Sequence, residues 1–354
     1  MRCVLRQGLL KFMRYKAFSY LAHASWALLA INYVAAQTLN APVVSTETAA
    51  ETRTINDWLM RTHEASKKLA YVGTFVVSSG GTMSSARIWH VSEGNQQMER
   101  VETLSGAPRS IFRHNDQVVT FMPDQKIVRS ESRESLGMFP ELLQSTDSRI
   151  ADFYKVRQEG VERVAGVEAD VIVLAPKDSM RFGYRVWTEQ KRGLVVKLQT
   201  LDTNGKVLEQ AAFSELQLDA PVKMDKLIQM MGKIDGYRVE NPLLVKTSAS
   251  AEGWIMRVPV AGFKSINCYK RPSGVATGAV GGEALQWIFS DGLASVSVFV
   301  EPFDRQRHDS RESSLSLGAT QTLTRQMNAY WLTVMGEVPL TTLRLFANGI
   351  ERKR

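Results

Sequence analysis

The chain has 354 residues, 44 Lys and Arg against 36 Asp and Glu, a formal net charge of +8, and 44% hydrophobic residues. That length and apolar content allow sizeable cores and exclude a disordered polyelectrolyte. Only two cysteines, Cys3 and Cys268, exclude a disulfide scaffold.

The first segment is a targeting signal. Arg2, Arg6, Lys11, Arg14 and Lys16 precede an uncharged apolar run, residues 17–36, which ends Val34-Ala35-Ala36 before Gln37. A basic stretch, an apolar stretch and a small-x-small exit are the parts of a secretory signal peptide. His23, Asn32 and the small residues weaken the run as a membrane span, so cleavage after Ala36 is favoured over a retained anchor. Without residues 1–36 the five positive charges are lost, the net charge falls to +3, and Cys268 is the only thiol left. The basic balance is therefore no nucleic-acid footprint, and the mature chain is expected to be soluble outside the cytoplasm.

Residues 37–54 are polar, small and aperiodic, a disordered lead-in. Ile55, Trp58, Leu59, Thr62, Ala65 and Leu69 then recur at helical spacing, with Asn56 or Asp57 available as cap. Over 55–220 the texture turns to short β-type runs: 71–78, 83–91, 111–113, 118–122, 126–129, 168–174, 181–188, 194–201 and 207–218. Ser79-Gly80-Gly81, His114-Asn115-Asp116-Gln117 and Thr203-Asn204-Gly205 read as hairpin turns between them. Two short helices are expected near 140–144 and 150–154. Hairpins without intervening long helices predict an antiparallel meander.

Residues 221–247, with charges, Met residues and Pro242, read as a connection with a short helix over 222–231. A second β-rich unit, 248–354, follows. Its strands are expected at 254–259, 263–269, 287–289, 294–300 and 330–334, with a Gly-rich loop at 274–282. In 294–300, Val296, Val298 and Val300 face one way and Ser295, Ser297 and Phe299 the other. Pro339 opens a closing helix, 340–350, with Leu343, Phe346, Ala347 and Ile350 on one side.

The motifs of catalysis are missing. His63, His90, His114 and His308 form no zinc pattern, no Gly-x-Ser-x-Gly elbow is present, and Gly274, Gly278, Gly281 and Gly282 lack the spacing of a phosphate loop. No catalytic residue, metal or cofactor is expected, and an envelope hydrolase is disfavoured. Aromatics and methionines are more informative. Trp89, Phe112, Phe121, Phe139 and Trp187 are candidates to line an apolar hollow, although filling a core is the favoured reading of each taken singly. Trp254, Phe289, Phe299 and Tyr330 are the candidates for a partner surface. Arg305, Arg307, Arg311 and the Arg352-Lys353-Arg354 tail are candidates to meet anionic lipid or a solvated face.

Several stretches carry a family likeness: Tyr71-Val72-Gly73-Thr74-Phe75-Val76, Phe182-Gly183-Tyr184-Arg185-Val186-Trp187, Arg192-Gly193-Leu194-Val195-Val196-Lys197 and Val207-Leu208-Glu209-Gln210. The most specific runs from Phe289-Ser290-Asp291-Gly292-Leu293-Ala294 to Glu301-Pro302, and Gly318-Ala319-Thr320 and Gly336-Glu337-Val338-Pro339 fit as well. In order along the mature chain, they resemble the MucB/RseB family of periplasmic negative regulators of an envelope-stress sigma factor. The resemblance implies an α+β, mainly antiparallel β fold: a large unclosed β-barrel packed on helices, similar to the lipoprotein carriers LolA and LolB, plus a smaller C-terminal β-rich domain. It implies binding to the periplasmic domain of a membrane-spanning anti-sigma factor, which blocks regulated proteolysis. Relief is expected from lipopolysaccharide or lipoprotein acyl chains. A carrier of lipoproteins or acyl chains is the alternative, weakened by the second β unit. No nucleic acid is expected as partner, and self-association into a homo-oligomer stays open.

Overall fold

The computed structural model describes residues 53–132, 139, 142, 149–242, 244–272, 283–309 and 311–353. The signal segment, most of the lead-in, Met138, the helix expected near 140–144 (apart from Leu142), the Gly-rich loop and Arg354 lie outside the described residues. Helix α1 (Ile55–Lys68) begins at Thr54, whose hydroxyl accepts from the Asp57 N–H at 3.2 Å while the Asp57 carboxylate accepts from the Thr54 N–H at 2.8 Å. The cap is thus Thr54, not Asn56 or Asp57, and Asp57 serves as the reciprocal third residue of a capping box. Hydrogen bonds from Thr54 hold the Asp57 carboxyl below its ordinary pKa. Ile55, Trp58, Leu59, Thr62 and Ala65 form the buried side.

Six strands follow: β1 (Tyr71–Ser79), β2 (Thr82–Glu93), β3 (Gln96–Thr103), β4 (Ser110–His114), β5 (Gln117–Met122) and β6 (Ile127–Ser132). After a short helix α2 (Ile150–Phe153) come β7 (Tyr154–Val164), β8 (Val167–Pro176), β9 (Gly183–Glu189), β10 (Val195–Leu201) and β11 (Val207–Leu218). Helix α3 (Met224–Met231) leads to β12 (Arg238–Glu240). These twelve strands form one sheet in the order β12-β6-β5-β4-β3-β2-β1-β11-β10-β9-β8-β7. Every pairing is antiparallel except β12 with β6, and the terminal strands β12 and β7 are not bonded to each other, so the sheet is unclosed. The connecting segment, expected to be irregular, therefore adds an edge strand to the large sheet.

The rest of the chain builds β13 (Val245–Lys246), β14 (Trp254–Met256), β15 (Lys264–Pro272), β16 (Glu283–Ser290), β17 (Ser295–Pro302), β18 (Ser313–Leu317), β19 (Thr320–Met327), β20 (Tyr330–Gly336), helix α4 (Leu340–Gly349) and β21 (Ile350–Arg352). Seven of the strands form a second sheet, β13-β15-β16-β17-β20-β19-β18, and β14 pairs with β21. Val296, Val298 and Val300 are buried on the inner face of β17, as their alternation predicts, and Leu343, Phe346, Ala347 and Ile350 bring α4 onto that core. The strand expected at 254–259 stops at Met256.

Besides the two- and three-residue strands β12, β13 and β21, the strands β3, β7, β18 and β19 are not among those expected from the sequence, for a physical reason. Only Met98 is buried in β3, β7 is exposed along most of its length, β18 throughout, and Leu323 is the one buried residue of β19. Strands with so little apolar alternation carry no period-2 signal.

Gly73 marks a close approach in the large sheet. A Cβ there would lie 2.5 Å from the Phe213 ring and 2.8 Å from the Glu215 carbonyl oxygen. Gly73→Ala is expected to destabilise by about 1–3 kcal/mol, as overpacking does, read as a fall in the urea midpoint at unchanged m-value.

Candidate functional site at the seam between the sheets

Glu51–Arg354 form one compact unit, so the two large sheets are joined within it. The join is made by the turn between β16 and β17. Gly292 takes φ +104°, and the Asp291 carboxylate oxygen Oδ1 accepts from the N–H groups of Leu293 (3.0 Å) and Ala294 (2.8 Å). Ser290 Oγ accepts from the Gly292 N–H and donates to the Ala294 carbonyl, both at 2.9 Å. Local hydrogen bonds thus shape the turn before anything docks on it.

What docks is Arg181, just before β9. Its guanidinium donates through Nη1 to Asp291 Oδ2 at 2.8 Å, through Nε to Asp178 at 3.0 Å, and through Nη2 to the Ala261 carbonyl at 2.8 Å. The side chains of both Arg181 and Asp291 are 0% exposed. Tyr154 donates to the same Asp291 oxygen at 3.1 Å. The Arg181 guanidinium also lies over the rings of Phe153 (4.5 Å), at the end of α2 ahead of β7, and Phe263 (5.2 Å), ahead of β15. Gly262, at φ +85°, is required here: a Cβ would stand 2.8 Å from Arg181 Nη2 and 3.0 Å from Phe153.

Apolar packing reinforces the ion pair. Leu293, from the second sheet's turn, sits in a core with Ile55 and Trp58 of α1 and Ile172, Leu174, Tyr184 and Val186 of the first sheet. Met180 packs the opposite way, against the second core, and its carbonyl accepts from the Thr342 hydroxyl at 2.7 Å. A further contact brings the Gly318 turn against Ser79 and Glu209, so closely that a Cβ on Gly318 (φ +58°) would overlap Ser79 Oγ.

Burial pushes the Asp291 carboxyl above the ordinary value, against the opposing pull of the Leu293 and Ala294 N–H groups, Arg181 and Tyr154. Burial also opposes the Arg181 charge, but the hydrogen bond to Asp178 and the nearby Asp291 carry its pKa upward. The Tyr154 and Tyr184 phenols are held well above their usual range by burial, so Tyr154 remains a donor. The arrangement has the character of a joint. Among the described residues no group of three or more His, Cys, Asp or Glu is placed to hold a metal.

The candidate hollow residues divide between two clusters. Trp89, Phe112 and Phe121 come together with Met98, Val119 and Val128 beneath Met224, Leu227 and Met231 of α3, and Arg100 lies 4.8 Å over the Trp89 ring. Phe139 and Trp187 belong elsewhere: Phe139 packs against Phe75 and Phe213, and Trp187 donates to Glu162 at 2.8 Å. The five therefore do not line one hollow. Of the candidate partner residues, Trp254 and Phe289 are core, 4% exposed each, because they close the space between the second sheet and α4. Tyr330 stands edge-on to Trp254 at 4.9 Å, and Phe299 lies half-buried on the opposite face of β17 with Arg271 over its ring. Neither Arg181 nor Asp291 was singled out from the sequence. The available signal was a lone arginine between Met180 and Phe182, at the mouth of an apolar strand, and a Ser-Asp-Gly turn inside an otherwise apolar stretch.

Three outcomes test this geometry. Asp291→Leu alone takes the buried carboxylate from the Arg181 guanidinium, leaving it only Asp178 and the Ala261 carbonyl, and should cost about 3–5 kcal/mol, whereas Arg181→Met with Asp291→Leu should recover much of the loss. Phe289→Ala should cost about 3–5 kcal/mol of core packing, while Phe299→Ala should leave the melting temperature nearly unchanged. Burial raises the Cys268 thiol from 9.0 to about 11. The unfolded chain therefore loses that proton first, so stability present below about pH 9 should fall as the pH rises towards 11, and Cys268→Ala should remove that part of the alkaline slope.

Comparison with known proteins agrees with the likeness in the sequence. A model of the MucB/RseB N-terminal domain matches residues 54–231, and one of the MucB/RseB C-terminal domain matches residues 248–351. The chain is 29% identical over 307 residues to the sigma factor AlgU regulatory protein MucB of Pseudomonas aeruginosa, covering 83% of this chain and 90% of that one. It is 25% identical over 317 residues to the sigma-E factor regulatory protein RseB of Haemophilus influenzae, covering 87% and 95%. The solved complex of Pseudomonas aeruginosa MucA and MucB superposes with a TM-score of 0.66 at 26% identity, covering 84% of this chain and 99% of that one. A crystal structure of MucB in complex with MucA(peri) gives a TM-score of 0.64 at 27% identity, covering 84% and 98%. On matches that run through both sheets, this chain belongs to the MucB/RseB family.

Proposed function

We propose that this chain binds the periplasmic segment of a membrane-spanning anti-sigma factor, shields it from regulated proteolysis, and so keeps an envelope-stress sigma factor inactive. The observation that carries the reading is the similarity, over 84% of the chain, to a MucB crystallised with MucA(peri). In support of export, residues 1–36 have the composition of a signal peptide with a small-x-small exit at Ala36, and on that ground we assign the cleaved chain to the periplasm. Among the described residues no helix is long and apolar enough to cross a membrane.

A binding inhibitor needs no catalytic group, only a difference in affinity between two states. We assign the partner surface to residues 248–354, with Phe299 and Tyr330 as the aromatic contacts left accessible by the core. The lipid signal we assign to the cluster of Trp89, Phe112 and Phe121. An acyl chain seated there competes with α3, an eight-residue helix held by packing and begun at Lys223 without a side-chain cap. The ligand can release the partner only by as much as it prefers the unbound form.

Titration calorimetry of the mature chain against the recombinant periplasmic segment of its anti-sigma factor tests this reading. Binding at micromolar concentration or tighter is expected, with Phe299→Ala weakening it about tenfold or more, the size of a hot-spot contact. No detectable binding by the folded wild-type chain would sink it.

A further inference from the structure

One tryptophan of the second sheet is buried by a loop instead of by a core. Along β20, Leu332 and Val334 enter the core with Val298 and Val300, so Trp331 points the other way. It stands opposite Glu301 of β17, next along the outer face from the Phe299–Thr333 pair. Trp331 is nevertheless only 8% exposed. Residues 303–308, which follow β17, lie across it. The His308 ring stacks on the indole with centroids 4.8 Å and planes 3° apart, and Phe303 flanks the two rings at 5.8 Å and 6.2 Å.

The loop is held through one imidazole. The Asp304 N–H donates to His308 Nδ1 at 3.1 Å. A backbone N–H can only donate, so Nδ1 is bare and the ring proton is on Nε2, facing Glu301 Oε1 at 3.3 Å. The His308 and Arg307 N–H groups return to the Asp304 carbonyl at 2.8 and 3.1 Å. A protonated imidazole has two donors and no acceptor. Its Nδ1–H would face the Asp304 N–H, and flipping the ring in place would offer that N–H a carbon, so the bond is lost either way.

The charged groups against the ring are Glu301 from β17 and Asp304 and Arg307 from the loop, while β20 brings the Trp331 indole. Arg307 lies 3.8 Å from Glu301 Oε2 and donates to Asp304 Oδ2 at 2.9 Å. Hydrogen bonds from the Gln306 N–H and Arg307 hold the Asp304 carboxyl below its ordinary pKa, so it stays charged where imidazole titrates. The carboxylates favour the imidazolium and the guanidinium opposes it, but none of them gives the Asp304 N–H a new acceptor.

We propose that His308 is an acid-released latch: neutral, it straps residues 303–308 over Trp331, and protonated, it frees the loop and bares Trp331 beside Phe299. The latched form needs the neutral ring, so the released form takes up the proton more readily and falling pH favours it. The latch does not depend on what binds that face.

Nuclear magnetic resonance of the mature chain from pH 8 to 5 tests it, with three readouts: the His308 ring nitrogens, the exchange protection of the Asp304 amide corrected for its intrinsic rate at each pH, and the acrylamide quenching that Trp331→Phe removes. As His308 gains its proton, the Asp304 protection should fall about tenfold, the size of one lost hydrogen bond, and quenching of Trp331 should rise. His308→Phe keeps a flat ring over Trp331 without an acceptor, so its Asp304 amide should be as poorly protected at pH 8 as the wild type's is at pH 5. A His308 that stays neutral to pH 5, one that takes up the proton while Asp304 and Trp331 stay protected, or a His308→Phe chain that keeps the pH-dependent loss would each overturn the proposal.

Discussion

The Arg181 guanidinium is the group on which the rest of this molecule depends. It sits without solvent contact at the meeting of two sheets, and its donors are divided between Asp178 on one side and Asp291 and the Ala261 carbonyl on the other. A buried charge is tolerated only when its hydrogen-bonding capacity is met. Here the requirement runs both ways. Asp291 needs Arg181 and Tyr154, and Arg181 needs a turn that keeps Asp291 in place. The backbone donors of Leu293 and Ala294 and the hydroxyl of Ser290 fix that turn. Neither sheet presents a finished surface without the other.

That dependence gives the fold its functional character. A buried ion pair adds little net stability over well-packed apolar residues, yet parting its partners is costly, so Arg181 and Asp291 penalise any arrangement that separates them. Leu293 extends the selection into apolar packing, because its side chain completes a core that belongs to α1, α2 and the strands of the first sheet. A change in that core therefore reaches the turn between β16 and β17, and β17 carries Phe299 on its outer face. Two ligands bound on different sheets can be linked through such a joint by a difference in affinity alone.

Much of this architecture was legible in the sequence, and the parts that were not share a cause. Ile55–Lys68, Ser295–Pro302 and Leu340–Gly349 carry their periods openly because one face of each is buried and the other is not. β7 and β18 carry no period because water lies against both of their faces. Trp254 and Phe289 suit a partner surface or a core equally well in the sequence, because aromatic size alone does not say which side of a sheet is covered, and α4 covers theirs. The seam was harder still. Arg181 and Asp291 are 110 positions apart, and nothing local marks either as buried. Only the folded chain brings a charge of each sign into the same dry place, and charges are expected outside unless paired. The family likeness had pointed to the Ser290–Pro302 stretch, and the structure supplies its physical reason in the turn that Asp291 shapes.

The seam makes one cooperative unit of two sheets, which differential scanning calorimetry of the mature chain can read. A single transition is expected, with calorimetric and van't Hoff enthalpies that agree, as for a two-state unit. Two resolved transitions in the wild-type chain, one for each sheet, would contradict it.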